Sequence, residues 1–300
     1  MSELKKLNNC WRVIQKSVIG TSHVRSGLPN QDSIDKYVSN EKSGLPLILA
    51  VSDGHGSAKS FRSDTGSRFA VISAIEVIKK IFEECFKNKN ISYSLIKDEL
   101  ENRLPQKIVR AWREKVDLDF EMNPFTKLEI SNIEVNNIVK NIEILKDNIY
   151  VVYGATLLIA VLTDSFMFYM QLGDGDILNV YEDGKTLRPF DEKDERLIAN
   201  ETTSLCSKDS WNEFKIKFYP LTDDFKFPEL IILSTDGYSN SFRNEESFLK
   251  VGTDIWELLK NEGFEYVCKN LEKWLMASSE KSGDDITIGI IIKDHNRFKN

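Results

Sequence analysis

Acidic residues stand beside short apolar runs at four separate places in the chain, and this repeated arrangement constrains the fold most strongly. One such run, Leu45 to Val51, leads directly into Asp53, Gly54 and His55. Short apolar runs bounded by turn residues are typical of buried β-strands. The acids beside the other three runs are Asp174, Asp236, Asp284 and Asp285. We therefore expect several buried strands whose ends carry carboxylates.

The residue types in this set indicate what they could bind. No histidine or cysteine cluster accompanies the carboxylates in the sequence, so hard cations such as Mg(II), Mn(II) or Ca(II) are favoured over zinc or copper. Gly54 allows a sharp backbone turn and brings a carbonyl oxygen close to whatever Asp53 binds. Any one stretch is also consistent with an ordinary turn, because Asp and Gly are common turn residues. The four stretches together predict a metal site.

Two periodicities along the chain predict a mixture of helices and strands. Apolar residues recur at helical spacing from Ala74 to Cys85 and again from Ile96 to Trp112, where Pro105 is expected to kink or restart the helix. Strand patterns dominate after Gly154, and helical patterns return near residues 245–277. Runs of strands with helices in pairs favour an α+β fold with antiparallel sheets.

The 300 residues are expected to form a single domain, because a large sandwich can accommodate that length. Residues of about 117–148 show no clean period and are expected to be a local elaboration, and those of about 190–210 a polar surface segment. Glycine and proline between Gly20 and Asp32 predict a loop that returns Asp32 to the sheet.

The composition excludes several classes of partner. A formal net charge of −7 disfavours binding to a nucleic-acid backbone, which would require a basic stripe. No apolar run approaches the ~20 residues of a membrane-spanning helix, and the first residues lack the apolar core of a signal peptide. We therefore expect a cytoplasmic, monomeric protein with no membrane partner.

Six short motifs occur in order along the chain: NQDS, VSDGHG, GATLLIAVLT, LGDGD, LSTDGYSNSF and GDDITIGII. In this order they resemble the motifs of the metal-dependent PPM-type (2C-class) serine/threonine protein phosphatases. The resemblance extends from about Ile19 to Ile292. Two further stretches, GTSHVRSGLPNQDS and ETTSLCSKDSW, resemble a bacterial branch of that family. The implied fold is a four-layer α-β-β-α sandwich of two stacked, mainly antiparallel sheets flanked by helices.

The resemblance also implies a set of metal ligands for two Mg(II) or Mn(II) ions and for a third, weaker ion. The implied ligands are Asp32, Asp53, Gly54, Asp174, Asp236 and Asp284. Asp53 would bridge the two ions, and its neighbour Gly54 would add a carbonyl. Asp236 and Asp284 would complete the first ion. Asp32 would serve the second ion directly or through water, and Asp174 would hold the third together with Asp236.

Two positions in these motifs affect which residues can be ligands. Gln31 stands where many relatives have a glutamate, so the second ion would be held mainly through water. Asp285 follows Asp284 and would point the opposite way along a strand, so only one of the pair should be a terminal ligand. We predict that this ligand is Asp284.

The remaining predictions concern the groups that act on the substrate. His55, two residues after Asp53, is a plausible general acid for the departing alkoxide, although a lone histidine is more often structural. Many relatives carry a phosphate-binding arginine just before the N-Q-D stretch, but none occurs there in this chain. Arg25 and His23 are the upstream candidates, and the bidentate geometry of a guanidinium favours Arg25.

The predicted function is hydrolysis of phosphoserine and phosphothreonine in proteins by a water or hydroxide that bridges two divalent metal ions. One alternative is a phosphohydrolase that acts on small phosphate esters with the same metals. A second alternative is a catalytically inactive pseudophosphatase that serves as a signalling module. That alternative requires a broken metal set, whereas all the central acids are present.

Overall fold

The computed structural model describes residues 10–87, 93–134, 148–190, 203–222 and 225–294. Within these residues, ten strands form two five-stranded sheets in which every neighbouring pair is antiparallel. The first sheet has the order β1 (Cys10–Val18), β10 (Ile286–Asp294), β9 (Leu230–Ser234), β6 (Asp176–Val180) and β7 (Thr186–Leu187). The second has the order β2 (Ser33–Val38), β3 (Leu47–Ser52), β4 (Leu157–Leu162), β5 (Phe166–Leu172) and β8 (Lys215–Pro220).

Helices cover the outer face of each sheet. The helices of the described residues are α1 (Thr21–Ser26), α2 (Ser63–Lys87), α3 (Tyr93–Asp98), α4 (Leu104–Met122), α5 (Lys127–Glu134), α6 (Asp236–Ser239), α7 (Glu245–Glu262) and α8 (Phe264–Ser282). The second sheet shares one hydrophobic core with α2 and α4, and the first sheet shares another with α7 and α8. A third core lies between the sheets. These layers confirm the expected α-β-β-α sandwich.

Alternation along the central strands explains why three cores form. In β3, Ile48 and Ala50 belong to the core beneath the helices, whereas Leu47 and Leu49 belong to the core between the sheets. Successive side chains of a strand point to opposite faces, so a fully apolar strand supplies two cores at once. The sheets approach closely at Gly289, where an added Cβ would lie 2.8 Å from Leu49 Cδ2.

The segment that precedes β2 differs from the expected loop. Residues Thr21–Ser26 form the short helix α1, which ends at Gly27 in the left-handed conformation (φ 68°). The Gly27 N–H donates to the carbonyl oxygens of His23 and Val24. A left-handed glycine is a common way to end a helix, so glycine here marks the end of a helical turn. The loop interpretation of these residues was therefore wrong.

Three further expectations are refined. The helix containing Pro105 restarts as predicted: a π-helical stretch, Glu99–Arg103, precedes α4, and Pro105 occupies its first turn. Within 117–148, the chain is helical in α4 and α5, while residues 135–147 lie outside the described residues. Within 190–210, residues 191–202 also lie outside them, but Leu205 is fully buried. The Leu205 N–H donates to the Ala155 carbonyl, which holds this part of the segment in the core.

None of the helices among the described residues is both long enough and apolar enough to cross a membrane.

Candidate metal centre

The strand directions bring the predicted acids together at one end of the sandwich. In the first sheet, β9 ends where β10 and β6 begin, because Ser234 pairs with both Ile288 and Asp176. In the second sheet, β3 ends where β4 begins, since Val51 pairs with Leu158. Antiparallel neighbours place the end of one strand beside the start of the next. The acids after β3, after β9 and before β10 therefore meet at a single edge.

A cavity of about 180 Å³ opens at this edge. It is lined by His23, Gln31, Asp53, Gly54, His55, Gly56, Thr156, Asp174, Asp236, Asp284 and Asp285. Seven of the predicted site residues are among them. The exceptions are Asp32, which is buried and absent from this lining, and Arg25, which lies exposed on α1.

The backbone of Asp53 is held by Thr156, the residue just before β4. Its backbone N–H donates to Thr156 Oγ1 at 3.0 Å, and the Thr156 N–H donates to the Asp53 carbonyl at 2.8 Å. The next residue, Gly54, has no room for a side chain, because a Cβ would lie 2.6 Å from the carbonyl oxygens of Gln31 and Ser63. The glycine thus lets three backbone segments converge beside the Asp53 carboxylate.

Asp32 is positioned through the first sheet. Its Oδ2 accepts a hydrogen bond from Thr235 Oγ1 at 2.8 Å, and the Thr287 N–H donates to the same hydroxyl at 3.0 Å. Burial is the main cause that raises the pKa of the Asp32 carboxyl well above its ordinary value. The hydrogen bond from Thr235 opposes this effect, and the nearby charge of Asp285 adds to it. Asp32 is therefore a buried carboxyl that is held by Thr235 and is not among the residues that line the cavity.

The carboxylates on the cavity wall repel one another. Burial is the main cause that raises the pKa of Asp53 well above its ordinary value, followed by the charges of Asp32 and Asp236. Burial likewise raises the pKa of Asp236, and the charge of Asp174 adds to the effect. Burial raises the pKa of Asp284 as well. Clustered carboxylates that resist ionisation become favourable when a cation neutralises them.

The donor set fits divalent cations in its chemistry. It consists of oxygen donors, and Gln31 contributes a buried Oε1 that has no hydrogen-bond partner among the described residues. Carboxylate, amide and carbonyl oxygens are what Mg(II) and Mn(II) prefer. No three His, Cys, Asp or Glu side chains of the described residues are already arranged around one point as ligands. The fit therefore concerns the type and charge of the donors.

Asp284 and Asp285 differ sharply in their surroundings. The Asp284 carboxyl lines the cavity, and its Oδ1 accepts a hydrogen bond from the Asp285 N–H at 2.9 Å. Asp285 is 3% exposed, and three protein donors bind its carboxylate: the N–H groups of Gly20 and Gln31 at 2.6 Å each, and His23 Nδ1 at 2.9 Å. These contacts leave Asp284 as the member of the pair available to a cation.

His55 lies beside the predicted bridging ligand. Its backbone N–H donates to the Gly154 carbonyl at 3.0 Å. Its ring packs so closely on Gly154 that an added Cβ there would lie 2.4 Å from His55 Cδ2. Burial lowers the pKa of the imidazole, and the nearby charge of Asp174 opposes that effect. The ring is thus confined within the cavity.

Sequence reasoning missed the supporting residues Thr156, Thr235 and Asp285. Thr156 occurs inside the motif GATLLIAVLT just before an apolar run, and Thr235 occurs inside LSTDGYSNSF two residues after one. Their hydroxyls hold Asp53 and Asp32. Thr235 stands next to Asp236, which was an available signal, whereas Thr156 has no acidic neighbour in the sequence.

Comparison with known proteins gives a family match and several solved structures of similar fold. The family model of Protein phosphatase 2C matches residues 19–276. No curated protein matches the chain. Among solved structures, serine/threonine phosphatase Stp1 from Staphylococcus aureus has a TM-score of 0.56 and 13% identity, over 95% of this chain and 96% of that chain. The Mycobacterium tuberculosis serine/threonine phosphatase PstP/Ppp has a TM-score of 0.55 and 14% identity, over 94% and 98%.

A third solved structure contains metal. It is the catalytic domain of serine/threonine protein phosphatase PstP in complex with two manganese ions, with a TM-score of 0.54 and 14% identity over 95% of this chain and 99% of that chain. At such identities the similarity to solved structures establishes the fold.

Proposed function

Because the chain belongs to the protein phosphatase 2C family, we propose that it hydrolyses phosphoserine and phosphothreonine in proteins with a water or hydroxide that bridges two divalent metal ions. The family makes the chain a protein phosphatase. The observation that supports the metal-dependent mechanism is the cavity, in which Asp53, Asp236 and Asp284 come together from three different strand ends.

The proposed metal ligands are the residues named from the sequence. Asp53 would bridge two ions of Mg(II) or Mn(II), with the Gly54 carbonyl beside it, and Asp236 and Asp284 would complete the first ion. When bound, such ions lower the pKa of water and neutralise charge on the phosphoryl oxygens. Asp174 lies on the same wall and would hold a third, weaker ion.

The protein's own contribution is a rigid arrangement of charge. Thr156 fixes the backbone at Asp53, and the hydroxyl of Thr235 fixes the carboxylate of Asp32. Positions held by strands and backbone hydrogen bonds do not have to reorganise during the reaction. His55 is proposed to donate a proton to the alkoxide oxygen as it leaves.

A neighbouring groove supports a protein substrate over a small phosphate ester. It has a volume of about 610 Å³ and shares Asp174 with the acidic cavity. Its walls include Leu187, Phe242 and Phe248, and its polar groups include Arg188. The residues that flank a phosphorylated side chain would occupy such a groove, whereas a sugar phosphate would leave it empty.

The test is phosphate release from a defined phosphothreonine peptide with and without Mn(II) or Mg(II). We expect metal-dependent turnover that EDTA abolishes, and higher kcat/KM for the peptide than for sugar or nucleotide phosphates. Preference for a small ester would support the alternative phosphohydrolase. Metal binding without turnover on any phosphomonoester would support the pseudophosphatase.

A further inference from the structure

The carboxylate of Asp285 holds both ends of one segment. It accepts the N–H of Gly20, which precedes α1, and the N–H of Gln31, which follows it, each at 2.6 Å. A third donor, His23 Nδ1, lies on α1 itself at 2.9 Å from Asp285 Oδ2. One buried side chain therefore fixes the start, the middle and the end of the segment.

Further contacts limit how this segment can move. The backbone N–H and the hydroxyl of Ser22 both donate to the Gly283 carbonyl. Gly20 has no space for a side chain, because a Cβ would lie 2.6 Å from the Gly283 carbonyl oxygen. The Thr21 hydroxyl donates to the Ser279 carbonyl at 3.3 Å. The segment is thus docked on the turn that also presents Asp284.

His23 points into the acidic cavity from this support. Its side chain is 13% exposed and lines the cavity. Nδ1 is hydrogen-bonded to Asp285 Oδ2, while Nε2 has no hydrogen-bond partner among the described residues. Among the cavity-lining residues, the side chains that can carry a positive charge are His23 and His55. A phosphate dianion entering this cavity therefore meets few cationic groups of the protein itself.

We propose that Asp285 is a positioning residue that holds His23 through Nδ1, so that the Nε2–H of His23 binds an oxygen of the substrate phosphoryl group. An N–H donor at this position would take the place of the guanidinium fork expected from the sequence. The inference rests on the proposed function, because it requires a phosphomonoester in this cavity.

Two isosteric substitutions separate phosphate binding from support of the segment. His23→Asn keeps a donor near the position of Nδ1 and lacks any group at Nε2. His23→Gln keeps a donor near the position of Nε2 and loses the one near Nδ1. If His23 only anchored the segment to Asp285, Asn would be the milder change. If Nε2 binds phosphate, Gln would be the milder change.

The assay measures KM for a phosphothreonine peptide, the inhibition constant of inorganic phosphate and the Kd of Mg(II). For His23→Asn we expect both KM and the inhibition constant to rise roughly tenfold or more, with Mg(II) affinity unchanged. His23→Gln should lie between this variant and the wild type. Arg25→Ala alters an exposed residue of the same helix and is the comparison: a larger rise in KM for it than for His23→Asn would overturn the proposal.

The role of Asp285 is tested with Asp285→Asn, which weakens its contact with His23. If that variant fails to fold, a spectroscopic measurement on the wild type still tests the proposal. The chain contains only three histidines, so their ring nitrogens can be followed in the 15N spectrum of the Mg(II)-loaded protein. Inorganic phosphate should move the Nε2 signal that disappears in His23→Asn. In folded Asp285→Asn, that response should weaken and KM should rise.

The proposal is overturned if phosphate leaves the His23 signals unmoved, or if His23→Asn retains the wild-type KM and phosphate inhibition in an active enzyme. Failure of the proposed function looks different, because the wild-type protein would then show no metal-dependent phosphate release at all.

Discussion

Divalent cations should stabilise this fold strongly, and the effect should depend on Asp53. Apart from Asp285, which is bound by protein donors, four carboxylates line the cavity: Asp53, Asp174, Asp236 and Asp284. Two divalent cations would balance that formal charge. Ions that bind only the folded state add about 2.7 kcal/mol per independent site at a hundredfold excess over Kd.

For two sites the gain is about 5 kcal/mol. In a domain of this size a change of 1 kcal/mol moves Tm by roughly 2 °C. Mn(II) or Mg(II) should therefore raise Tm by about 10 °C in a thermal scan. Asp53→Asn removes the carboxylate expected to touch both ions, so the shift should fall to less than half. Turnover should drop by a factor on the order of 10³.

The matched control is Asp164→Asn, which removes an exposed carboxylate beyond the opposite end of β4. That variant should keep the wild-type metal shift and turnover. Asp53→Asn should also be at least as stable as the wild type in EDTA, because it relieves repulsion in the acidic cluster. A folded Asp53→Asn protein with the full metal shift and full turnover would refute the assignment of the metal centre.

Three further outcomes follow from particular contacts. His55→Ala should slow a phosphoserine peptide far more than p-nitrophenyl phosphate, because only an alkoxide needs a proton as it leaves; equal losses would make His55 structural. Gly289→Ala should lower the free energy of unfolding in urea by ~1–3 kcal/mol, because the added Cβ meets Leu49; an unchanged midpoint would contradict this. Burial alone would raise the pKa of Glu129, but hydrogen bonds from Arg62 and Thr126 lower it to about 2. Since that value lies below the ordinary 4.5, its stabilisation should disappear as the pH falls from 4.5 towards 2, and Glu129→Gln should remove this part of the acid dependence of urea unfolding.

The α+β class could be predicted because the sequence carries two different periodicities, whereas the four layers were implied by the resemblance to the phosphatase family. In the structure, the fully apolar strand β3 supplies two cores at once, and the helical spacing of α2 directs its apolar side chains to one of them. The elements that escaped prediction depend on contacts between distant residues. Helix α1 is an example: its six residues carry no apolar stripe, and it is held against residues 279–285 by hydrogen bonds.

The same limit applied to the groups that face the substrate. Arg25 was favoured over His23 because of the chemistry of its side chain, and sequence could not show where either one points. In the structure Arg25 is exposed and His23 lines the cavity. The difference arises from one turn of α1, because residues two apart in a helix lie on different faces. Whether His23 binds phosphate stays a prediction for the substitutions described above.

Asp284 and Asp285, the two adjacent acids before β10, have different roles in the proposed site. Both residues line the cavity, but their carboxylates have different partners. Asp284 is thereby available to a cation, and Asp285 is bound by Gly20, Gln31 and His23. A metal ligand and the support for a substrate-facing histidine would then come from neighbouring positions of a single chain. Movement at this turn would disturb both together, and the three contacts to Asp285 oppose such movement.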